Sequence, residues 1–240
     1  AQETGEKMAE LAQLKTDFVS VVSHELRTPL TSIIGSLKTL QRPELAPAAE
    51  SARDLIETAE RQANRLRTLI EDLLVVSRLD NQALPVRPVA LDLATFLKEV
   101  VSDIPATAGR VVIDPLTEQV TLEADPDHLR RIITNLVENA IKYAQDSPVE
   151  VAVRSKQTEV WMSVIDHGHG IPYELHDLIF QRFTQVERHE TRGVGGTGLG
   201  LSIVRGLSEA MGGRVWFEPT VGGGATFTVA MPRLSAARPT

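Results

Sequence analysis

Five of the eight residues from Gly193 to Gly200 are glycine, and a run with helical spacing follows them directly. A glycine-rich loop that opens a helix offers free backbone N–H groups and the positive end of the helix dipole to an anion. A flexible linker has a similar composition, but a linker rarely runs straight into a patterned helix. Gly193, Gly195 and Gly198 also fit G-x-G-x-x-G, yet that fingerprint needs a buried strand before it, and residues 181–192 are polar. We therefore predict a phosphate-binding loop.

A predicted helix that begins at Pro126 carries Asn135, Asn139 and Lys142 at i, i+4 and i+7, which places them along one line. Two amides and an ammonium on one line could hold a cation together with its phosphate oxygens. Mg²⁺ suits such a site because it takes few protein ligands and often binds substrate phosphates. A solvated helix face with no ligand has the same pattern and remains an alternative.

Asp166 follows a strongly apolar predicted strand and precedes two glycines, Gly168 and Gly170. A carboxylate at a strand end could accept a hydrogen bond from an exocyclic amine such as that of adenine, and the glycines would let a ring approach the backbone. The neighbouring His167 and His169 could bind a metal instead, but their glycine neighbours favour a turn, and no further ligand pattern accompanies them.

In chain order and spacing, the helix from Pro126, the turn at Asp166 and the glycine loop resemble the N, G1 and G2 boxes of the ATPase superfamily that includes histidine kinases, gyrase, Hsp90 and MutL. The segment from Ile179 to Phe183 resembles the F box that opens the mobile ATP lid. The resemblance covers about residues 86–234 and implies an α/β sandwich that binds ATP.

The resemblance also implies a role for several side chains. It puts Asp166 on adenine, Asn139 on Mg²⁺ as the one protein metal ligand, Lys142 near phosphate and Tyr143 beside the base. The remaining implied nucleotide-binding residues are Asn135, Gly168, Gly170, Gly196, Thr197, Gly198, Leu199 and Gly200.

The string from Phe18 to Leu30 resembles the H box of sensor histidine kinases nearly residue for residue. A single histidine on a helix is usually a polar surface residue, but in this string we interpret His24 as a phosphoacceptor. The heptad pattern set by Leu11, Leu14 and the following apolar residues places His24 beside the seam, so its imidazole should be reachable. A neutral imidazole keeps a nucleophilic lone pair.

Three residues next to His24 carry further expectations. Pro29 lacks an N–H, so the carbonyl of Glu25 loses its helical partner and a kink is expected. The family implies that Glu25 fixes the tautomer of His24 and accepts its proton. It also implies that Thr28 places a water that hydrolyses a regulator phosphoryl group, although a hydroxyl simply bonded to a carbonyl is an equal alternative.

These residues need two kinds of element to position them. Amphipathic helices are predicted over residues 8–40 and 52–79, and the short break between them makes them antiparallel. Such a hairpin leaves an apolar edge bare, so we predict a homodimeric four-helix bundle, with a plain coiled coil as the alternative. A turn-prone linker at about residues 80–88 separates the predicted domains, residues 1–80 and 81–240.

Beyond the linker, short β-like runs alternate with helices, and Asp125 before Pro126 is typical of a helix start. We predict strands at 86–91, 110–113, 120–123, 149–153, 160–166, 214–218 and 225–231, and helices at 93–102, 126–144 and 200–211. The last helix should stop at Gly212, and the tail 235–240 should be disordered. The fold class is therefore α+β: a helical hairpin followed by an α/β sandwich.

Composition excludes several other classes. The net charge of −7, from 25 basic and 32 acidic residues, argues against a nucleic-acid partner. The absence of cysteine excludes disulfides and thiolate chemistry. No apolar run approaches the roughly 18 residues that span a bilayer, so we expect no membrane segment in this chain. The family resemblance implies a cytoplasmic location and leaves membrane attachment of the full-length protein open.

These observations predict the core of a sensor histidine kinase that phosphorylates His24 from ATP. The family implies transfer to an aspartate on a response regulator receiver domain, with regulator phosphatase activity as an addition. One departure matters: Gln185 stands where histidine kinases often carry Arg, so that phosphate contact is either missing or supplied by Arg188 or Arg192. A catalytically silent ATP-binding scaffold and an ATPase that uses Glu138 are the alternatives.

Overall fold

The computed structural model of the chain describes residues 2–42, 49–105, 109–115, 119–144, 147–184 and 197–233, with side chains omitted for 2–18 and 49. The chain forms two compact units, Ala1–Leu74 and Val75–Thr240. The predicted domain boundary near residue 80 remains a prediction, and the predicted tail lies outside the described residues.

The first unit is a helical hairpin, as predicted. Helix α1 spans Gln2–Leu40 and continues through Pro29, and helix α2 spans Ala49–Asp80, whose last six residues belong to the second unit. Large apolar side chains of the hairpin nevertheless stay exposed: Val19, Leu30, Ile34, Leu37, Ile56, Ile70 and Leu74. An amphipathic face without a partner is what a four-helix bundle requires, and it supports the predicted dimer.

The described residues of the second unit contain seven strands and three α-helices, which confirms every element predicted there to within three residues. In chain order they are β1 Val89–Asp92, α3 Leu93–Asp103, β2 Val111–Ile113, β3 Thr121–Ala124, α4 Pro126–Tyr143, β4 Val149–Ser155, β5 Glu159–Ile165, α5 Gly200–Ala210, β6 Arg214–Pro219 and β7 Ala225–Pro232. A short 3₁₀ helix at Tyr173–Leu175 was not predicted.

The strands form two sheets. Strands β1 and β3 pair antiparallel, and a five-stranded sheet has the order β2-β4-β5-β7-β6, in which only β2 and β4 are parallel. Alternate residues of β5, namely Val160, Met162 and Val164, are buried at 1% exposure or less. Helix α4 contacts β5, and α4 also packs on α3 and α5, so a helical layer and the sheet share one core.

The structure confirms the predicted start signal of α4 and the predicted stop signal of α5. Asp125 caps α4, because its Oδ1 accepts hydrogen bonds from the backbone N–H groups of Asp127 and His128 at 3.1 Å each. After α5, Gly212 adopts a left-handed φ of 75°, and the N–H of Gly213 donates to the carbonyl of Ser208 at 2.8 Å. Within the described ranges, no helix combines the length and apolar character that a membrane span needs.

Candidate active site

Asp166 lies immediately after β5 and is only 3% exposed. Its Oδ1 accepts hydrogen bonds from the backbone N–H of Gly168 at 2.9 Å and of Ala225 at 3.2 Å. Burial raises the pKa of this carboxyl above its ordinary range, and the two backbone hydrogen bonds and nearby His167 only partly offset that effect. Because Oδ1 accepts both backbone hydrogen bonds, Oδ2 is the oxygen that can accept a hydrogen bond from a ligand.

The two glycines after Asp166 allow the protein backbone itself to approach. A Cβ on Gly168 would lie 2.0 Å from the carbonyl oxygen of Tyr143 at the end of α4. Gly170 has a φ of 66°, and a Cβ there would lie 3.0 Å from the carbonyl oxygen of Gly224. These glycines therefore bring α4 and the loop before β7 against the turn that follows Asp166. Their approach to a bound ring remains a prediction.

Sequence reasoning missed Gly224 as a site residue. Its φ is 106°, and a Cβ there would lie 2.0 Å from the carbonyl oxygen of Asp166. Only glycine fits so close an approach in that conformation. The signal was present, because Gly222, Gly223 and Gly224 form an uninterrupted run directly before a predicted strand.

Helix α4 presents the predicted polar line. Asn139 is half-buried, and its side-chain amide has no hydrogen-bond partner among the described residues. Asn135 donates from Nδ2 to the carbonyl of Arg131 at 3.0 Å, and its Oδ1 is 3.0 Å from where a Cβ on Gly200 would stand. The structure therefore brings the N-box helix and the first residue of α5 together, as a shared phosphate site requires.

The start of α5 is suited to an anion. Its N-cap residue, Leu199, is buried and gives no side-chain cap to the helix. Thr197 lies beside it, with its Oγ1 accepting from the N–H of Leu199 at 3.2 Å. First-turn N–H groups without a side-chain cap are available to a phosphate.

Lys142 and Tyr143 at the end of α4 contact each other. The Nζ of Lys142 lies 4.7 Å from the centre of the Tyr143 ring, which is a cation–π distance. Both side chains are half-buried. The ammonium and the ring are thus presented together, next to the Asp166 turn that contacts the Tyr143 carbonyl.

A backbone hydrogen bond joins the F box to the glycine loop. The N–H of Phe183 donates to the carbonyl of Gly198 at 2.8 Å, and both residues have positive φ, 62° and 68°. A Cβ on Gly198 would lie 2.7 Å from the Cα of Phe183, so this glycine permits the contact. Arg182 in the same box forms a bidentate ion pair with Asp80. The predicted site residue Gly196, and also Gln185, Arg188 and Arg192, lie outside the described residues.

His24 is exposed on α1, as predicted, with 76% of its side chain accessible. The Oε1 of Glu25 lies 3.6 Å from its Nδ1, and the Oε2 of Glu25 accepts a hydrogen bond from Arg65 on α2 at 3.3 Å. Thr28 donates from Oγ1 to the carbonyl of His24 at 3.2 Å. This is the carbonyl bond that a surface threonine makes, and it leaves the hydroxyl lone pairs open to a water.

The His-x-His pair gives no metal cluster. His167 Nε2 lies 3.2 Å from the Oε1 of Glu150, and among the described residues no three potential ligands come together.

Comparison with known proteins agrees with this architecture. Residues 14–82 match the His Kinase A (phospho-acceptor) domain, and residues 124–235 match the histidine kinase-, DNA gyrase B- and HSP90-like ATPase family. The fold and the site thus define a class: a phosphoacceptor hairpin joined to an ATP-binding catalytic domain. The chain belongs to the sensor histidine kinases.

Named relatives are similar over nearly the whole chain. The sensor protein kinase WalK of Staphylococcus saprophyticus is 33% identical over 91% of this chain, and 36% of that relative is covered. The circadian input-output histidine kinase CikA of Synechococcus elongatus is 37% identical over 94% of the chain, with 31% of its own length covered. The chain therefore spans about a third of these relatives. A structure of full-length ShkA in complex with AMPPNP aligns with a TM-score of 0.65 and 30% identity, covering 93% of this chain and 47% of that one.

Proposed function

We propose that this chain binds ATP with Mg²⁺ in its second unit, transfers the γ-phosphoryl group to His24, and passes it to an aspartate of a response regulator. The single observation that carries the proposal is the exposed His24 with the Glu25 carboxylate 3.6 Å from its Nδ1. Histidine phosphorylation needs an accessible imidazole as nucleophile, a nearby carboxylate and a bound ATP, and this chain combines the first two with an ATP-binding fold.

Adenine would be recognised at Asp166. The Oδ2 of this residue accepts a hydrogen bond from the exocyclic amine, while Oδ1 stays bonded to Gly168 and Ala225. The Tyr143 ring lies beside the base. The bound AMPPNP of ShkA, an ATP analogue, supports a nucleotide in this fold.

The phosphates would lie between α4 and the start of α5. The first-turn N–H groups of α5, with Thr197 and Gly198 before them, bind the phosphate oxygens, and the Lys142 ammonium adds a positive charge. The half-buried Asn139 amide, with no described partner, fits a Mg²⁺ site that takes few protein ligands. The Oδ1 of Asn135 lies beside Gly200, at the phosphate end of α5. When bound, Mg²⁺ neutralises phosphate charge.

At His24, the lone pair of Nε2 attacks the γ-phosphorus. A phosphorus–nitrogen bond forms, the bond between the γ-phosphorus and the bridging oxygen breaks, and ADP leaves with those electrons. The Nδ1 proton passes to the Oε1 of Glu25, so the ring does not keep a positive charge. A carboxylate oxygen of the regulator aspartate then attacks the same phosphorus. The phosphorus–nitrogen bond breaks with its electrons returning to Nε2, and Glu25 returns the proton to Nδ1, which restores His24.

Two further assignments follow the family. The exposed apolar face of α1 and α2 forms the homodimer, which supplies the regulator with a four-helix surface. The Thr28 hydroxyl oxygen can still accept a hydrogen bond from a water, and we assign it to position the water that dephosphorylates the regulator.

Single-turnover incubation with γ-labelled ATP tests the proposal. Because acid breaks a phosphorus–nitrogen bond, label on the wild-type protein should be lost in acid and survive base. His24→Gln should remove the label, and His128→Gln, which alters a ring bonded to the Pro85 carbonyl, should keep it. Label that persists in His24→Gln contradicts the assignment. Free phosphate without labelled protein would favour an ATPase that uses Glu138, and no turnover would favour a silent scaffold.

A further inference from the structure

We propose that Arg65 is a positioning residue for phosphorylation of His24, because it holds the Glu25 carboxylate with one oxygen toward the imidazole. The inference rests on the proposed function and deepens it. Arg65 was not singled out by the sequence, and no motif of the H box includes it.

The two oxygens of the Glu25 carboxylate face two different residues, Arg65 and His24. The Nη2 of Arg65 donates to the Oε2 of Glu25 at 3.3 Å, and the Oε1 of Glu25 lies 3.6 Å from the Nδ1 of His24. Each oxygen therefore has one neighbour, and the oxygen that faces the ring is fixed by the bond on the other.

Glu25 needs such a constraint because of its place in the helix. Residues at i and i+1 do not face each other on a helix, so Glu25 has no intrinsic reason to turn toward His24. Its glutamate side chain has several rotatable bonds and would otherwise sample many orientations. Arg65 comes from α2, 40 residues later, and supplies a fixed point outside α1.

Burial distinguishes this ion pair from the Arg53–Glu57 pair of α2. The Glu25 side chain is 19% exposed and that of Arg65 is 36% exposed. In contrast, Arg53 bonds Glu57 within one exposed face of α2, at side-chain exposures of 82% and 49%. Solvent screens exposed pairs of that kind, so they restrict their side chains little, whereas a partly buried pair is screened less and restricts its carboxylate more.

The chemical consequence concerns the tautomer of His24. A carboxylate oxygen at Nδ1 stabilises the form with the proton on Nδ1, which leaves the lone pair on the exposed Nε2. A free imidazole side chain favours the opposite tautomer, with the proton on Nε2. Without Arg65 the carboxylate loses its orientation, so the nucleophilic nitrogen is more often protonated and the phosphorylation rate falls.

The test is a ¹⁵N NMR measurement of the His24 ring at about pH 8, above the usual titration range of imidazole. The His24 signals are assigned by their absence in His24→Gln, and no nucleotide is added. We expect the Nδ1–H tautomer in the wild type, a shift toward Nε2–H in Arg65→Gln, and partial recovery in Arg65→Lys. Arg53→Gln is the matched control and should leave the tautomer unchanged.

Kinetics gives the second readout. Because a positioned acid–base group contributes about 10²- to 10⁴-fold, its misplacement in Arg65→Gln should lower kcat for autophosphorylation about tenfold or more, with the KM for ATP unchanged. In a Glu25→Gln background, Arg65→Gln should cause no further loss, since both changes remove the same interaction.

The outcomes separate the two proposals. An unchanged His24 tautomer in Arg65→Gln overturns the inference, and so does a kcat loss that remains the same in the Glu25→Gln background. Thermal unfolding of each variant identifies a merely structural role, which would lower Tm without moving the tautomer. If wild-type protein takes no label from ATP, the proposed function fails, whereas the tautomer measurement still decides whether Arg65 orients Glu25.

Discussion

Asp166 and Ala225 exchange two hydrogen bonds although 59 residues separate them. The N–H of Asp166 donates to the Ala225 carbonyl at 2.9 Å, and the N–H of Ala225 donates to the Asp166 Oδ1 at 3.2 Å. The first bond extends the ladder between β5 and β7, whose last registered pair is Ile165 with Thr226. The carboxylate proposed to bind adenine is therefore fixed by the sheet itself.

We predict that Asp166→Asn separates folding from ATP binding. The amide oxygen can still accept from Gly168 and Ala225, so the free energy of unfolding at pH 7 should be unchanged or raised by about 1 kcal/mol, because a buried charge is removed. The amide NH₂ would then face the adenine amine, two donors together, and ATP binding should be lost. Calorimetric titration with ATP and thermal unfolding measure the two effects. A variant that binds ATP normally would contradict the adenine assignment.

The same residue predicts a pH dependence. Since burial raises the folded-state pKa of Asp166 above its unfolded value of about 3.9, the folded state takes up the proton more readily. Its contribution to stability is fully present below about pH 3.9 and is lost as the pH rises through the raised pKa. The stability of wild type relative to Asp166→Asn should therefore decrease between acid and neutral pH. Urea unfolding of both proteins across that range checks the sign.

Gly224→Ala should destroy the Asp166 turn, and Gly222→Ala is its matched control. Both glycines have positive φ, 106° and 90°, so both substitutions carry backbone strain of about 1–2 kcal/mol. Only at Gly224 would the new Cβ also meet backbone, 2.0 Å from the Asp166 carbonyl, whereas nothing lies within 4 Å at Gly222. We expect Gly224→Ala to lose more than about 3 kcal/mol together with ATP binding, and Gly222→Ala to keep binding. Equal losses in the two variants would mean that strain alone matters.

The elements of both units could be predicted from the sequence because their signals are local. Alternation of apolar residues marks β5, and Asp125 before Pro126 marks the start of α4. The motif residues of the site were likewise recognisable from short strings, such as the H box around His24. The run from Gly222 to Gly224 was equally visible, but its role depends on a contact with Asp166 that no local pattern encodes.

Contacts between distant segments could not be predicted in this way. The strand order places β7 between β5 and β6, and only that arrangement brings Ala225 to Asp166. The Arg65–Glu25 pair depends on the register of α2 against α1, which periodicity alone does not fix. The backbone hydrogen bond between Phe183 and Gly198 requires a left-handed conformation at a phenylalanine, against its intrinsic preference.

Asp125→Ala should destabilise the second unit by about 2 kcal/mol. Asp125 is 6% exposed, its Oδ1 caps α4, and its Oδ2 accepts from the Arg87 N–H at 2.8 Å. The truncation therefore removes the acceptor of three part-buried backbone N–H groups. The exposed Asp127 in the same first turn is the control, and Asp127→Ala should cost less than about 1 kcal/mol. Urea unfolding measures both, and similar losses would contradict the capping role.

Acid should remove the contribution of Asp125. Burial is the largest single influence on its pKa and acts to raise it, but the hydrogen bonds from the Arg87, His128 and Asp127 N–H groups and the nearby His128 ring outweigh burial and lower the pKa. The stabilisation is therefore present above the unfolded value of about 3.9 and is lost as the pH falls through the lowered pKa. The difference in unfolding free energy between wild type and Asp125→Ala should shrink below about pH 4.

Thr28→Ala should separate the two activities proposed for the hairpin. The Thr28 hydroxyl donates to the His24 carbonyl, which leaves its oxygen lone pairs to accept from a water. If those lone pairs place the water, Thr28→Ala should lower the rate of regulator dephosphorylation by about tenfold or more, while His24 autophosphorylation changes by less than about twofold. Thr31 is the matched control, because its hydroxyl makes the same bond to the carbonyl four residues earlier, at 2.8 Å to Arg27. Thr31→Ala should leave both rates unchanged. If the two alanine variants behave alike, the Thr28 hydroxyl serves only its carbonyl bond, and the water must be positioned by another residue.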